Sequence, residues 1–390
     1  MEEKPKARKI SLGNAIIAGF IALIIGFTIG STWSNYSPYL GFKSSSSNDW
    51  SALNEVYDTL ASKYDGEVNF ETALEGAKKG IAASVEDVYT VYMSASEATD
   101  FNKSLHGDVG SGIGVVIAKR DGYIRIVRTL PDNPASKAGI LAGDIVYKID
   151  DENVLNLDSD EIATKLRGAD GTKVKLTIVR DGEEKSFNLT REPINNVSAY
   201  IEYNDKTAII HVTRFDTDTS SLVKGFVKEF PKKGINKVIL DLRDNGGGYV
   251  SAAKDLLSLW VDSKAILVQK SAKLADETTY SAHGQAELAD MKTIVLVNGS
   301  TASASEITAG ALQDYKKATI VGEQTYGKGV VQSLVNLSNN SLLKVTTAHW
   351  YTPNGTSINK TGITPDKVVE RTYEDINKNV DPQLKAALEM

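Results

Sequence analysis

The stretches KVILDLRDNGGG (237–248) and TIVLVNGSTASASEITAGALQD (293–314) share one plan: an apolar run leads into a loop of glycine, serine and other small residues. Short apolar runs bounded by turn residues predict strands buried on both faces. Further strands are predicted at 208–212, 319–322 and 342–349, and helices at 220–230, 251–260 and 302–314. This alternation predicts a mainly parallel α/β sheet whose functional loops meet at the carboxyl ends of the strands.

Two of these loops offer backbone groups and hydroxyls to a substrate. The glycines after Asp244 leave N–H groups uncovered, which suits an oxyanion or a phosphate, although the Gly-Lys-Ser/Thr of a P-loop does not follow. In the loop 298–307, Ser300 or Thr301 can cap the next helix, with Glu306 in its first turn. A serine between alanines at this corner can also serve as a nucleophile, and these residues alone leave both interpretations open.

A third loop, 325–332, places Lys328 between two glycines. Small neighbours allow a lysine to be pressed against another group, and burial then lowers its pKa so that it can act as a base. An exposed loop lysine is the alternative interpretation.

Residues 110–192 change to short strands with two short helices. Strands are predicted at 115–118, 124–127, 143–150, 174–180 and 185–190, and helices near 134–139 and at 158–166. With SGIGVVI (111–117), PASKAGILAGDIV (134–146) and KLRGADGTKVKLTIVRDG (165–182), this order closely resembles bacterial PDZ domains. The resemblance implies that Gly112, Ile113, Gly114 and Val115 present N–H groups to a peptide's C-terminal carboxylate, beside a strand edge that the peptide extends. A β-rich domain without a ligand is the alternative.

The N-terminal end is typical of a membrane anchor. Basic residues up to Lys9 precede an uncharged run from Ile10 to Phe42, and residues 12–29 of that run are mostly apolar. Eighteen helical residues cover about 27 Å, close to the ~30 Å hydrocarbon core of a bilayer. The basic flank predicts a cytoplasmic N-terminus, so the rest of the chain would lie outside the cytoplasm. A cleaved signal peptide is the alternative, but no clear A-x-A site follows the run.

Between the anchor and the PDZ region, FKSSSSND (42–49) predicts a flexible linker. Residues 49–101 carry apolar side chains at helical spacing, beginning with Trp50, Leu53 and Val56. They predict a small helical subdomain that packs on another surface.

Composition excludes several classes of function. The chain has 390 residues, 41% hydrophobic and 24% charged, which fits two or three folded domains. It contains no cysteine, so thiol nucleophiles, iron–sulfur clusters, thiolate zinc sites and disulfides are excluded. The four histidines are far apart in the sequence, which argues against a histidine metal site. A net charge of −6 gives no electrostatic support for a nucleic-acid partner.

Three motifs behind the PDZ region carry a second resemblance. DLRDNGGG (241–248), NGSTASASEITAGALQD (298–314) and VGEQTYGKGVVQ (321–332), in this order, closely resemble the carboxyl-terminal processing peptidases, or tail-specific proteases. ALEGAKKGIAASVEDVYTVYMSASEATDF (73–101) is similar to the N-terminal region of that family, although Val88 stands where proline is usual. The resemblance spans about residues 50–370. Residues 367–390 show no peptidoglycan-binding module, so nothing there supports docking to a cell wall.

The resemblance implies a Ser–Lys hydrolase that needs no metal or cofactor. Ser303 matches the nucleophile, Lys328 the general base, and Gln332 the residue that orients the lysine. The N–H groups of Ala304 and Gly247 match the oxyanion hole. The implied enzyme is a serine endopeptidase of the cell membrane that binds exposed C-termini of proteins or peptides and cleaves near them through an acyl-enzyme. The domain order also suggests that an empty PDZ domain blocks the active site.

Other functions fit the sequence less well. A trypsin-like PDZ protease needs a serine inside the DNGGG loop and a histidine in a matching context, and neither occurs. A non-catalytic PDZ adaptor at the membrane would not need Ser303, Lys328 and Gln332 together. No feature supports a surface receptor for small ligands, and the sequence leaves open whether the chain forms a homo-oligomer.

The predicted fold class is therefore α/β plus a β-rich PDZ domain, preceded by a transmembrane helix and a helical subdomain. The predicted organisation is a basic cytoplasmic tail (1–10), a transmembrane anchor (11–33), a linker (34–49), a helical region (50–105), a PDZ domain (106–194), a Ser–Lys protease core (195–370) and a C-terminal tail (371–390).

Overall fold

The computed structural model describes residues 49–271, 273, 276–378 and 380–390. The chain divides into two compact units, one up to Ala77 and one from Lys78 onward. The predicted basic tail, the anchor and nearly all of the linker lie outside the described residues. Over the part that is described, no helix combines the length and the apolar character needed to cross a bilayer.

The described part of the first unit is helical, as the apolar spacing predicts. It contains helix α1 (Ser51–Lys63) and the beginning of α2 (Phe70–Ala83). Tyr57 and Phe70 meet edge to face, with ring centroids 5.3 Å apart. No residue of α1 is buried among the described residues. The packing of its apolar stripe on another surface stays a prediction.

The second unit begins with the end of α2, from Lys78 onward, and two short elements precede the PDZ region. The elements in chain order are β1 (Val91–Met93), α3 (Ala95–Leu105), β2 (Ser111–Gly112), β3 (Val115–Arg120), β4 (Tyr123–Thr129), α4 (Pro134–Lys137), β5 (Ile145–Ile149), β6 (Glu152–Asn153), α5 (Ser159–Leu166), β7 (Lys173–Arg180), β8 (Glu183–Thr190) and β9 (Glu192–Pro193). Strands β3, β4, β5, β7 and β8 form one antiparallel sheet in that order, and β6 pairs with β5. This confirms the predicted strands. Asp158 starts α5 by accepting hydrogen bonds from the Asp160 and Glu161 N–H groups.

The remaining chain alternates strands and helices. Its elements are β10 (Ala199–Asn204), β11 (Thr207–Val212), α6 (Thr219–Val227), α7 (Phe230–Lys233), β12 (Lys237–Asp241), α8 (Val250–Leu257), β13 (Ala265–Ser271), β14 (Asp276–Ser281), β15 (Lys292–Val297), α9 (Ala304–Asp314), β16 (Thr319–Gly322), β17 (Val330–Asn336), β18 (Leu342–Tyr351), β19 (Lys367–Val368), α10 (Tyr373–Asn377) and α11 (Pro382–Glu389). The predicted helix 220–230 ends early, and Pro231 opens the separate helix α7 because proline lacks the N–H of a helix interior.

Two sheets form the framework of this region. The first has the order β10-β11-β12-β15-β16-β19 and is parallel from β11 onward, which confirms the predicted parallel sheet. The second is antiparallel: it follows the order β1-β18-β13-β14, and β17 also pairs with β18. Strands β1, β13, β14 and β17 of this second sheet are absent from the sequence-based expectations. Helix α9 is buried from Ala304 to Leu312 between the two sheets, beside Trp260 and Trp350.

The C-terminal helix α11 covers the other face of the parallel sheet. Ala387 is fully buried there, and Leu384 and Leu388 pack against the same apolar cluster. Arg243, at the end of β12, contacts the Asp381 carboxylate at 2.8 Å. Helix α11 thus packs onto the parallel sheet, and the ion pair between Arg243 and Asp381 fixes the loop that follows β12.

Candidate active site

Ser303 lies at the corner between β15 and α9. The helix begins at Ala304, so Ser303 occupies the N-cap position and the expected cap at Ser300 or Thr301 is wrong. The Thr301 hydroxyl instead donates to the Leu242 carbonyl at 2.9 Å, which ties this corner to the glycine loop. Ser303 has φ 57° and ψ −118°, and such a conformation costs a non-glycine residue on the order of 1–3 kcal/mol. The buried helix behind it holds the serine in this strained geometry.

The carboxylate of Glu306 connects the serine loop with the lysine loop. Glu306 has no exposed surface and accepts four hydrogen bonds. Its Oε2 accepts from the N–H groups of Ser303 at 2.8 Å and Lys328 at 2.9 Å. Its Oε1 accepts from the Thr325 hydroxyl at 2.6 Å and the Gly327 N–H at 2.7 Å. Because one oxygen binds both amides, the backbones of Ser303 and Lys328 are held side by side.

Sequence reasoning missed this role of Glu306, which was expected only to favour the N-terminus of its helix. A glutamate three residues into a helix is a common local signal. Nothing in the local sequence indicates that the Glu306 carboxylate accepts a hydrogen bond from Lys328, more than twenty residues further along the chain.

The side chain of Lys328 is half-buried, so its amine is partly shielded from water. It donates to Gln332 Oε1 at 2.9 Å, which places these two predicted residues in contact. Burial lowers the pKa of Lys328 from its usual value, and the nearby charge of Lys344 lowers it further. A lowered pKa raises the fraction of neutral amine, the form that accepts a proton. Among the described residues no hydrogen bond joins the Lys328 amine to the Ser303 hydroxyl.

A tyrosine from outside the three predicted loops borders the lysine. Gln332 Nε2 donates to the Tyr89 carbonyl at 2.6 Å, and the Lys328 amine lies 5.1 Å from the centroid of the Tyr89 ring. Burial raises the pKa of the Tyr89 phenol to about 12, so the ring stays neutral. The tyrosine lies in the stretch 73–101 that carries the family resemblance, but no pattern in that stretch indicated a contact with the active site.

The glycine loop approaches the nucleophile at Gly247. A Cβ on Gly247 would lie 2.8 Å from the Ser303 Cβ, and its φ of 102° also excludes larger residues. The Gly247 N–H donates to Asn245 Oδ1 at 2.9 Å, so this expected oxyanion donor is engaged by a side chain. The N–H groups of Ala304 and Gly248 donate to no other residue in the described part of the chain. Ala304 is therefore available for the expected role, and Gly248 is a second unengaged amide.

The loop Gly112–Val115 links β2 and β3 of the PDZ region. The carbonyls of Ile113 and Gly114 accept hydrogen bonds from Ala135 at 2.8 Å and Leu130 at 2.9 Å, which fixes the loop. The N–H groups of Ile113 and Gly114 donate to no other described residue. The loop borders a cavity of about 360 Å³, which β3 and α5 also line. Since β3 pairs only with β4 in its sheet, its other edge can accept an added strand.

Comparison with known proteins identifies the family. A model of peptidase family S41 matches residues 206–369, a PDZ domain model matches 125–180, and a model of the activating protease CtpB N-terminal domain matches 37–97. A probable CtpA-like serine protease from Staphylococcus haemolyticus (strain JCSC1435) is 33% identical, over 93% of this chain and 73% of that protein. The chain belongs to peptidase family S41. This confirms the resemblance seen in the motifs and makes the protein a serine peptidase with a PDZ domain.

Solved structures agree with the S41 fold. The photosystem II D1 C-terminal processing protease is 26% identical and superposes with a TM-score of 0.59, over 83% of this chain and 87% of that one. A putative S41 protease from Bacteroides fragilis NCTC 9343 is 15% identical and has the same fold, with a TM-score of 0.57 over 86% of this chain and 96% of that one. The individual roles of Ser303, Lys328 and Gln332 in this S41 peptidase remain predictions. Within the described ranges, no group of three or more histidine or carboxylate side chains is arranged to hold a metal ion.

Proposed function

We propose that this S41 peptidase is a membrane-anchored serine endopeptidase that binds protein C-termini through its PDZ domain and cleaves near them with a Ser303–Lys328 dyad. The observation that carries the proposal is the position of the Glu306 carboxylate. Its Oε2 accepts hydrogen bonds from the N–H groups of both Ser303 and Lys328. A half-buried lysine with a lowered pKa, held beside a strained serine at a helix N-terminus, has the parts of a nucleophile–base pair.

The reaction begins when the neutral Lys328 amine takes the proton of the Ser303 hydroxyl and Oγ bonds to the carbonyl carbon of the scissile peptide. Donation of one amine hydrogen to Gln332 steadies the nitrogen while its lone pair remains for the serine proton. The Lys328 ammonium then protonates the leaving amine as the C–N bond breaks. A water molecule that gives its proton to the same lysine hydrolyses the acyl-serine ester and restores both residues.

The oxyanion that forms in each tetrahedral intermediate needs N–H donors that are free beforehand. The Ala304 N–H at the start of α9 meets this condition and has the positive end of the helix dipole behind it. The second donor comes from the glycine loop. The Gly247 N–H serves only if Asn245 releases it, whereas the Gly248 N–H is already unengaged.

The PDZ domain selects substrates by binding their C-terminus. Two unengaged N–H groups, of Ile113 and Gly114, suit a terminal carboxylate, and the adjoining cavity suits an apolar side chain. The substrates are therefore proteins or peptides with exposed C-termini. The solved relative is described as a C-terminal processing protease, which supports the same class of substrate.

The chemistry is tested with the full-length protein in detergent micelles and a substrate protein that has a flexible C-terminus. Mass spectrometry should show products that have lost C-terminal peptides with the wild type and none with Ser303→Ala. Equal product formation by the two proteins would reject Ser303 as the nucleophile.

The anchor 11–33 places the helical region 50–105, the PDZ domain 106–194, the protease core 195–370 and the tail 371–390 on the extracytoplasmic side. This part of the proposal rests on the basic N-terminal flank and the uncharged run behind it. Protease added to intact cells without their wall should degrade the C-terminal bulk of the protein. Complete protection of that bulk would reject the topology.

A further inference from the structure

The segment 87–90 is folded into a turn by its own side chains. The Thr90 N–H donates to the Asp87 carbonyl at 3.0 Å, and the Thr90 hydroxyl donates to the Asp87 carboxylate at 2.7 Å. The Tyr89 N–H donates to the same carboxylate at 3.1 Å. Strand β1, directly after the turn, pairs with β18. The turn is thus attached to the same sheet as Gln332, which lies on β17. This attachment fixes the Tyr89 carbonyl so that it points to the Gln332 amide.

The Tyr89 carbonyl determines which end of the Gln332 amide faces the lysine. A carboxamide has one oxygen that accepts and one NH₂ that donates, and a backbone carbonyl can only accept. The Gln332 NH₂ therefore turns to Tyr89, at 2.6 Å, and the oxygen turns to the Lys328 amine, at 2.9 Å. The reverse orientation would set NH₂ against the amine hydrogens of Lys328 and leave that amine without its acceptor.

The Tyr89 ring contributes a second contact with the same amine. Its centroid lies 5.1 Å from Lys328 Nζ, within the range of a cation–π contact. The ring therefore has two opposing effects: it attracts the protonated amine, and it takes up space that water would otherwise occupy.

We propose that Tyr89 is a positioning residue for the general base, and that the turn 87–90, contributed from outside the α/β sheet, completes the catalytic site. This inference rests on the proposed Ser303–Lys328 dyad. Tyr89 touches no reacting atom of the substrate. It acts through Gln332, by its carbonyl, and on the Lys328 amine, by its ring.

The inference is tested by the pH dependence of Ser303 acylation with a fluorophosphonate probe, using full-length protein and counting only folded molecules. Tyr89→Phe keeps the ring and the carbonyl and should stay within about twofold of the wild type. Tyr89→Ala admits water to Lys328 and should slow acylation about 10- to 100-fold, with the rising limb of the pH profile moved to higher pH.

Tyr92→Leu is the matched control, since Tyr92 is buried in the neighbouring strand β1 and its ring faces the amine of Lys78. It should lower the melting temperature without moving the pH profile. If Tyr89→Ala does not fold, Tyr89→Leu replaces it: Leu excludes water but lacks the ring's attraction for a cation, so the limb should move to lower pH.

Folded Tyr89→Ala or Tyr89→Leu that matches the wild type in rate and in pH profile would overturn the inference. A different result marks failure of the dyad itself: Lys328→Ala would then acylate as fast as the wild type, whatever Tyr89 does.

Discussion

The PDZ loop and the active site both offer unengaged backbone N–H groups to an oxygen anion, but they are assembled in opposite ways. In the PDZ loop, the two free amides belong to the neighbouring residues Ile113 and Gly114. In the active site, the Ala304 amide, the Lys328 amine and the Tyr89 carbonyl come from three distant segments that a buried glutamate and a glutamine connect.

This difference follows from what each site does in the proposed function. There the PDZ loop binds a carboxylate that already carries its charge, so a short run of amides with a fixed backbone is sufficient. The active site must stabilise a charge that exists only during the reaction and must also move a proton. It therefore needs a nucleophile, a base and donors with different surroundings, and no short stretch of chain can supply them together. Local changes should weaken the first site, whereas removal of a connecting side chain should disable the second.

The largest effect is expected from the dyad itself. Ser303→Ala and Lys328→Ala should each reduce turnover by about 10³-fold or more, and the double variant should lose little more, because the two residues act as one unit. Peptide hydrolysis followed by mass spectrometry, with circular dichroism to verify folding, measures this. Independent, multiplying losses in the double variant would contradict a single proton-transfer pair.

Glu306→Gln should have the next largest effect. The carboxylate accepts four hydrogen bonds in a fully buried position, and a carboxamide would set its NH₂ against two of the donors. We expect a roughly 10²-fold loss of kcat/KM and a lower melting temperature. Glu374→Gln, at an exposed glutamate, is the matched control. Wild-type activity in folded Glu306→Gln would show that the shared carboxylate does not align the dyad.

The pH profile of hydrolysis should rise with pH through a pKa below the usual 10.5 of lysine, at about tenfold per pH unit on its acid side. The same burial affects stability. Because the folded pKa is lowered, the unfolded chain binds the proton more readily between that pKa and 10.5, and the free energy of unfolding rises with pH across this window. Lys328→Met should therefore raise the melting temperature at pH 7. A lower melting temperature would contradict a buried, destabilising charge.

In the PDZ loop the expected effect is smaller and confined to binding. Amidation of a substrate's C-terminus, or Gly114→Ala, should weaken binding about tenfold. A Cβ at Gly114 would clash with the Asn133 side chain, and its φ of 76° strains any residue other than glycine. Fluorescence anisotropy with labelled peptides measures the affinity, and acylation of Ser303 by a small probe should not change. Equal affinity for acid and amide peptides would contradict recognition of the carboxylate.

The smallest effect is expected from the histidines. Replacing His106, His211, His283 or His349 by glutamine, one at a time, should change hydrolysis by no more than about twofold, because none of them is hydrogen-bonded to Ser303 or Lys328 in the described chain. A folded histidine variant as inactive as Ser303→Ala, together with an active Lys328→Ala, would transfer the role of base to that histidine.

The sequence by itself determined those features that depend on neighbours along the chain. Apolar runs predicted the strands of the parallel sheet, and the loops after β12 and β15 could be located because they directly follow such runs. The resemblance to PDZ domains assigned a carboxylate-binding role to the consecutive residues 112–115, and that role stays a prediction. The expected helix cap at Ser300 or Thr301 was wrong, because the buried Thr301 hydroxyl donates to the Leu242 carbonyl in another loop.

Tertiary structure alone decided what joins these parts. The Glu306 carboxylate reaches Lys328 only because α9 is buried between two sheets, and the Tyr89 carbonyl reaches Gln332 across 243 positions of sequence because β1 pairs with β18. Likewise, the side chain of Asn245 engages the Gly247 amide that the motif assigned to the oxyanion. Such contacts depend on how whole helices and strands pack. The periodicity and spacing of residues in the sequence do not indicate which elements pack together. The candidate chemical groups of this peptidase were therefore predicted from its sequence, whereas the connections between them exist only in the folded chain.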